Sequence, residues 1–377
     1  APQGIAVDPA RRLVFVADTA NHRLLAADMD TGTLVQTWGA PDGRPGFSDG
    51  GVGGNVLFDS PRGMCIDRIT DLLWIADSGN DCLRRLSLKD MKNIVAVKAL
   101  KDESEPSKII SGDISEDFER TFKEKYPDET KRDNAMYGLS RTFRTPVGVT
   151  KVDSLIYVTA ASSNQIWRID DGGFRLLPAV GSGKRGIQDF SDPPLIADRS
   201  LNSLLTDNVR LAQPMGITGY AGKVYFTEGD SSTLRQLTLR DSACTTLLGG
   251  DKLFANNLLL FGDKDGVGRG AKLQYPTSLC AIGGPRFLLC DTLNHKIKLV
   301  TITETGSGPS AKSKTLAGTG KRGSNDGYCT SAQFNEPSAV AYDVESDQAW
   351  ICDSMNNAIR VIDLKTSTVK TFEIKGL

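Results

Sequence analysis

The most constraining feature of this sequence is a twelve-residue segment that recurs six times in one register. The copies are residues 13–24 (LVFVADTANHRL), 72–83 (LLWIADSGNDCL), 155–166 (LIYVTAASSNQI), 223–234 (KVYFTEGDSSTL), 286–297 (RFLLCDTLNHKI) and 348–359 (QAWICDSMNNAI). A proline begins a short apolar segment before each copy, at Pro2, Pro61, Pro146, Pro214, Pro276 and Pro337. Repeats of this kind indicate an architecture of stacked, equivalent units.

Each unit predicts four short strands. Proline suits the start of the first strand because it has no N–H to donate to the sheet, and the apolar run forms the second. Apolar segments such as residues 297–302 and 245–248 supply third and fourth strands, with Gly, Asp and Asn between them as turn residues. One such sheet cannot bury both its faces, whereas six arranged around an axis can. We therefore predict an all-β fold: a six-bladed β-propeller of four-stranded antiparallel blades, with one partly helical insertion.

We assign residues 1–377 to a single propeller. The predicted blades cover about 2–60, 61–100, 146–182, 214–250, 276–320 and 337–374, with the insertion at about 101–136. Within it, residues 114–122 have the apolar spacing of a short amphipathic helix, and the insertion is either a solvated excursion or a docking element. Since the first unit begins with a first strand, we expect the ring to close by packing of blade 1 against blade 6. The alternative is a missing N-terminal strand that would pair with the last blade.

The overall charge and the cysteines exclude several classes of protein. With 45 Lys+Arg against 46 Asp+Glu, nucleic acid is not the expected partner. The seven cysteines form no Cys-x-x-Cys pair and no disulfide framework. Four lie inside apolar runs and are interpreted as small buried residues, namely Cys65, Cys280, Cys290 and Cys352.

The sequence has no apolar run long enough to span a membrane and no N-glycosylation sequon, which favours an intracellular or organelle-lumen location over secretion.

The acid that ends the second strand and the asparagine three residues later are predicted to be structural turn residues. They are Asp18, Asn21, Asp77, Asn80, Asp291, Asn294, Asp353 and Asn356. The carboxylate can accept backbone N–H bonds in the turn, and we expect the asparagine to adopt a left-handed conformation. The two histidines, His22 and His295, share the slot directly after that asparagine, which is more typical of a turn position than of a catalytic pair.

Two further sets of charged residues recur with the repeat. Asp49, Asp265 and Asp326 each precede a glycine in the connection from an outer strand to the next inner strand. Asp-Gly turns explain them, but they are also our candidate binding residues, for a cation or a basic peptide on one propeller face. A basic residue recurs in the third strand, at Arg84, Arg235, Lys298 and Arg360. We interpret it as the polar side of a half-exposed strand, with an RNA-binding basic ring as the alternative.

The sequence shows no catalytic motif. Residues 181–186 and 318–323 match G-x-G-x-x-G, but they follow fourth strands instead of opening the helix of a βαβ unit. There is no nucleophile elbow and no Ser-His-Asp order, and two histidines in one slot do not make a metal site. We therefore predict no catalytic residues, no cofactor and no metal site. A calcium- or metal-dependent propeller hydrolase or lyase is the alternative.

The repeat resembles the NHL repeat. Residues 2–8 (PQGIAVD), 21–24 (NHRL) and 294–297 (NHKI) carry the likeness, and the third and fourth copies depart from it. Residues 248–266 and 316–320 are similar to a subgroup in which an NHL propeller follows a thioredoxin-like domain, as in animal NHL-repeat-containing proteins and the chloroplast suppressor-of-quenching type. This resemblance implies a non-catalytic protein-interaction or scaffold module of a larger protein carrying a thioredoxin-like domain. The partner would be a protein or a neighbouring domain; a single-stranded RNA-binding NHL domain is the second alternative.

Overall fold

The computed structural model describes residues 1–50, 56–92, 94–97, 143–169, 176–183, 185–187, 189, 209–239, 243–250, 258–306 and 308–376. The strands of these residues form six antiparallel sheets, which confirms the predicted all-β, six-bladed propeller. The predicted insertion at 101–136, including the helix over 114–122, lies outside the described residues.

The first three blades each contain four strands in chain order. Blade 1 consists of β1 (Gly4–Asp8), β2 (Leu13–Asp18), β3 (Arg23–Asp28) and β4 (Leu34–Trp38). Blade 2 consists of β5 (Pro61–Asp67), β6 (Leu72–Asp77), β7 (Cys82–Ser87) and β8 (Ile94–Val97). Blade 3 consists of β9 (Pro146–Val152), β10 (Leu155–Ala160), β11 (Gln165–Ile169) and β12 (Leu176–Val180).

Blade 4 also contains four strands in chain order, whereas blades 5 and 6 each add a short fifth strand at the outer edge. Blade 4 has β13 (Pro214–Tyr220), β14 (Lys223–Glu228), β15 (Thr233–Thr238) and β16 (Cys244–Leu248). Blade 5 has β17 (Gly266–Val267), β18 (Pro276–Ala281), β19 (Arg286–Asp291), β20 (Lys296–Thr305) and β21 (Gly308–Ala317), and β17 pairs with β21. Blade 6 has β22 (Gly327–Tyr328), β23 (Pro337–Asp343), β24 (Gln348–Asp353), β25 (Ala358–Asp363) and β26 (Thr368–Phe372), and β22 pairs with β26.

Short 3₁₀ turns join the second and third strands in four blades, at Thr19–Asn21, Ser78–Asn80, Thr292–Asn294 and Ser354–Asn356. A further one spans Gly268–Gly270. The turns after second strands and the starts of first strands lie at the same end of the ring, because neighbouring strands run antiparallel. We call this end of the ring the turn face.

The hydrophobic core lies between blades. Each of six apolar clusters is shared by two adjacent blades, so every blade is covered on both faces. Between blades 1 and 2, for example, Phe15 and Trp38 pack with Leu73 and Ile75, and all four side chains are fully buried. Burying one such side chain contributes about 1.5–3 kcal/mol, which is why a single blade needs its neighbours.

Ring closure uses the contact that also joins consecutive blades. The Thr19 hydroxyl of blade 1 donates to the carbonyl of Pro61, the residue that opens blade 2, at 2.6 Å. The Ser354 hydroxyl of blade 6 donates in the same way to the carbonyl of Pro2, at 2.5 Å. An apolar cluster is also shared by blades 6 and 1. All strands of blade 6 in the described residues come from the last part of the chain, and the ring closes by packing of blade 6 against blade 1.

The glycine two residues after the proline lets the inner strands approach closely. A Cβ at Gly4 would lie 1.9 Å from the carbonyl oxygen of Arg62, and one at Gly63 would lie 2.2 Å from that of Val147. Any side chain there would push neighbouring blades apart at the axis. This close approach explains the Pro-x-Gly pattern of blades 1 to 4, whereas blades 5 and 6 have Ser278 and Ala339 at the glycine position.

Candidate functional site

The acid at the end of the second strand organises the turn face within each blade. In blade 2, the Asp77 carboxylate accepts hydrogen bonds from the Asp59 backbone N–H at 2.8 Å and from the Asn80 amide at 2.9 Å. Asp291 and Asp353 make the same two kinds of bond in blades 5 and 6. These bonds tie the turn to the chain that enters the blade from the preceding one.

The left-handed residue of this turn is one position later than we expected. The φ angle is 50° at His22, 48° at Asp81, 54° at His295 and 49° at Asn357, whereas the preceding asparagine belongs to the 3₁₀ turn. The expectation was wrong because the asparagine amide is held by the acid of the same turn, so the chain reverses only after it.

Both histidines join neighbouring blades. His22 Nδ1 accepts from the Ser60 backbone N–H at 3.0 Å, and His295 Nδ1 accepts from the Glu336 N–H at 3.1 Å. Burial, together with Arg322, lowers the pKa of His295, so the neutral ring that can accept this bond is favoured. In blades 2, 3 and 4 the equivalent residue accepts the backbone N–H of the next blade through an oxygen atom, in the pairs Asp81 with Thr145, Asn164 with Gln213 and Ser232 with Tyr275.

The recurring base of the third strand is buried, so its interpretation as the polar side of an exposed strand was wrong. Arg84, Arg235, Lys298 and Arg360 are all 0% exposed. In blade 6, Arg360 bonds Asp353 at 2.8 Å and Asp326 at 2.7 Å. At least two acids thus hold each base inside its blade, because an unpaired buried charge is costly. These side chains are not available to nucleic acid.

The three candidate binding residues supply the outer acid of this buried arrangement. The Asp49, Asp265 and Asp326 carboxylates accept the backbone N–H of a fourth-strand residue in blades 2, 5 and 6, at 2.8, 2.7 and 3.0 Å. Burial alone would raise the pKa of Asp326, but its bonds from Thr371 and Arg360 outweigh that effect and lower it. The hydrogen bonds of the three carboxylates stay within three separate blades. Their role in binding a cation or basic peptide stays a prediction.

Sequence reasoning missed a fourth outer acid. Asp189 bonds Arg235 at 3.0 Å and accepts from the Thr246 hydroxyl at 2.7 Å in blade 4. It is followed by phenylalanine and not by glycine, so the Asp-Gly pattern did not reveal it. The buried base of the same blade was the signal that could have found it.

Blades 1 and 3 lack the buried base. Blade 1 has Leu25 at that position, and Asp18 bonds Arg23 instead, at 2.9 Å. In blade 3 both members of the pair are apolar, Ala160 and Trp167. Wherever the acid is present it is paired with a base, as expected of an ion pair that stabilises the blade.

A cavity of about 370 Å³ opens along the propeller axis at the turn face. Residues near the start of all six first strands line it, so it is the mouth of the central channel. The position directly after the proline contributes one side chain per blade, in order Gln3, Arg62, Val147, Met215, Thr277 and Ser338. Leu293 and Met355, from the turns of blades 5 and 6, border the cavity and are 37% and 58% exposed.

Arg62 is the one charged residue among these six positions. Burial lowers its pKa, and Tyr275 of the opposite blade opposes that effect. Within the described part of the chain, the guanidinium forms no hydrogen bond, and its Nε atom is buried. Two acids of the turn face are already paired elsewhere: Glu336 lies 3.6 Å from Arg322, and Asp230 lies 2.7 Å from Arg185.

Burial raises the pKa of all seven cysteine thiols. All seven thiols are free; Cys290 and Cys352 are fully buried, whereas Cys65 and Cys280 are half-buried. Desolvation raises the pKa of Cys65 to about 11 and that of Cys280 to about 12, so neither is a thiolate near neutral pH.

The described residues contain no group of three or more His, Cys, Asp or Glu side chains placed to hold a metal ion. Among them there is also no helix with the length and apolar character needed to cross a membrane.

Fold and inter-blade bonding together define a six-bladed β-propeller of repeated Asp/Asn turns. No family model matches the chain. It is 28% identical to the chloroplastic protein SUPPRESSOR OF QUENCHING 1 of Arabidopsis thaliana, over 100% of this chain and 32% of that protein. It is 29% identical to NHL repeat-containing protein 2 of Bos taurus, over 99% of this chain and 48% of that protein. These similarities, together with the six-bladed fold, support an NHL-repeat propeller. The chain spans about a third to a half of the length of these relatives.

Solved structures show the same fold at low identity. An auxiliary nutrient binding protein from Bacteroides thetaiotaomicron superposes with a TM-score of 0.60 at 15% identity, over 99% of this chain and 69% of that one. A chain of a nidogen/laminin complex gives a TM-score of 0.52 at 13% identity, over 96% and 92% of the two chains. At these identities the likeness concerns the fold alone.

Proposed function

We propose that this propeller is a non-catalytic protein-interaction module that binds its partner on the turn face. The observation that carries the proposal is a contrast between positions on that face. The repeated acid, asparagine, hydroxyl and histidine positions are occupied by bonds within and between blades. The position two residues after the acid is different in every blade: Ala20, Gly79, Ser162, Asp230, Leu293 and Met355.

The variation of this position between blades produces an apolar sector, formed by Leu293 and Met355, on one side of the channel mouth. Leu293 and Met355 belong to the adjacent blades 5 and 6, and both are exposed although they are large and hydrophobic. Exposed apolar side chains beside a cavity are typical of a protein-binding surface, and methionine adapts well to a partner's shape.

We propose as partner a protein or a neighbouring domain of the same polypeptide, such as a thioredoxin-like domain. The subgroup resemblance supports this choice, as does the fact that the matched relatives are longer than this chain.

The test compares variants of the two ends of the ring. In one, Leu293→Asp and Met355→Asp place charges on the apolar sector. In the matched control, Ile69→Asp and Val344→Asp alter two exposed apolar residues of first-to-second-strand turns, at the opposite end, where they are 83% and 64% exposed. Partners are quantified by affinity purification and mass spectrometry.

We expect a set of proteins bound by the wild type and the control to fall at least about tenfold with the turn-face variant, since each buried apolar side chain contributes about 1.5–3 kcal/mol. Equal recovery by both variants would show that the turn face is not the binding surface. The exposed apolar pair beside the channel mouth is the feature that best supports a binding role.

A further inference from the structure

The unpaired Arg62 guanidinium at the channel mouth is not explained by the folding of the ring. The bases that recur in the third strands all have acids within bonding distance. Arg84, for example, lies 3.0 Å from both Asp77 and Asp49. Arg62 has no carboxylate within the 4.0 Å of an ion pair among the described residues. The corresponding positions of the other blades are neutral, so the ring does not require a charge there.

An arginine side chain cannot lose its charge by deprotonation in a protein. Holding that charge in a partly dehydrated cavity therefore costs free energy unless an anion accompanies it. A carboxylate would restore the missing partner, because its two oxygens match the planar fork of guanidinium donors.

The rest of the cavity suits an apolar group next to that anion. Met64, Met215 and Leu279 line it, and the hydroxyl-bearing side chains of Thr277 and Ser338 stand among them. A volume of about 370 Å³ falls within the usual range for small-ligand sites, roughly 300–1,000 Å³.

We propose that the channel mouth is a binding site for a carboxylate attached to a short apolar group, with Arg62 as its charged anchor. The carboxylate belongs either to a free organic acid or to the C terminus of a polypeptide. This inference goes beyond the proposed function, because a small acid would bind here even if the rim bound no protein.

The probes are hexanoate, its neutral amide hexanamide, and a leucine-terminated tetrapeptide with a free or an amidated C terminus. Binding to the purified chain is measured by calorimetry and ligand-observed NMR. We expect hexanoate to bind at least about tenfold more tightly than hexanamide, as a charge-assisted hydrogen bond implies. Tighter binding of the free-acid peptide than of its amide identifies a polypeptide terminus as the source; binding of hexanoate alone identifies a free acid.

Three variants complete the test. Arg62→Gln removes the charge and is expected to abolish the preference for hexanoate over hexanamide. Arg62→Lys keeps a charge without the fork and should retain part of it. Arg68→Gln removes an exposed charge at the opposite end of the same inner strand and should change nothing. Thermal unfolding shows whether the variants fold.

The proposal is overturned if hexanoate and hexanamide bind folded wild type equally, or if no probe saturates. It is also overturned if folded Arg62→Gln keeps the preference or if Arg68→Gln loses it. None of these outcomes bears on the partner-capture test with Leu293 and Met355, so the two proposals fail separately.

Discussion

Replacing Arg360 by leucine should remove the charge that neutralises the interior of blade 6. The guanidinium is 0% exposed and bonds two carboxylates, Asp353 and Asp326, and two carbonyl oxygens. Asp353 is also fully buried and would be left as an uncompensated charge. Removing one partner of a buried pair costs about 3–5 kcal/mol, whereas Asp326, which is partly exposed, would be solvated. We expect Arg360→Leu to lower the free energy of unfolding by that amount.

A double-mutant cycle in urea, followed by tryptophan fluorescence, measures the coupling. Blade 3 has alanine and tryptophan at the equivalent acid and base positions, so the fold accepts an uncharged pair. Asp353→Ala with Arg360→Leu should therefore cost about 1–3 kcal/mol less than the sum of the single variants. Arg68→Leu, an exposed replacement in blade 2, serves as control and should stay within about 0.5 kcal/mol of wild type. A loss below about 1 kcal/mol for Arg360→Leu, or strict additivity, would refute the argument.

Three other perturbations probe the turn face and the closure of the ring. Burial raises the pKa of Asp291 to about 6, so between about pH 4 and 6 the folded state binds a proton that the unfolded state has released. The stability gained from this proton is lost as pH rises through that interval. In urea titrations, the wild type should therefore become less stable relative to Asp291→Asn between about pH 4 and 6. His295→Ala leaves the Glu336 N–H without its acceptor and should cost about 1–3 kcal/mol, whereas His295→Asn, which imitates blade 3, should recover part of the loss in thermal unfolding. Deleting residues 374–377 removes the bonds between Lys375 and blade 1, and hydrogen exchange should show faster exchange at the Leu34 amide, which donates to the Lys375 carbonyl; unchanged exchange would show that this tail does not help to hold the ring.

The architecture was predictable because repetition multiplies a weak local signal. No single Pro-x-Gly or Asp-x-x-Asn segment specifies a blade, and each occurs in only four of the six units. The six copies of the whole twelve-residue segment in one register, each preceded by a proline, instead fix the number of blades, their strand order and the closure of the ring. The prediction that the third-strand base is exposed to solvent was wrong. The base of the third strand alternates with apolar residues as a solvent-facing residue would. Only the folded structure shows that Arg84 is enclosed by Asp49, from the preceding connection, and by Asp77, from the second strand. Its outer acid comes from the connection that precedes the blade, so strand periodicity does not reveal the pairing.

Repetition also separates the residues that build the ring from those that can give it a specific ligand. A position that serves folding is under the same constraint in every blade, so it recurs or, like Ala160 and Trp167 of blade 3, changes together with its partner. A position that serves binding has no reason to recur, because a ligand on the axis meets each blade differently. The charge at Arg62, where the other five blades carry neutral residues, and the apolar pair Leu293 and Met355 fit the second description. By this criterion we propose that the channel mouth, where these positions differ between the blades, gives the propeller its specificity.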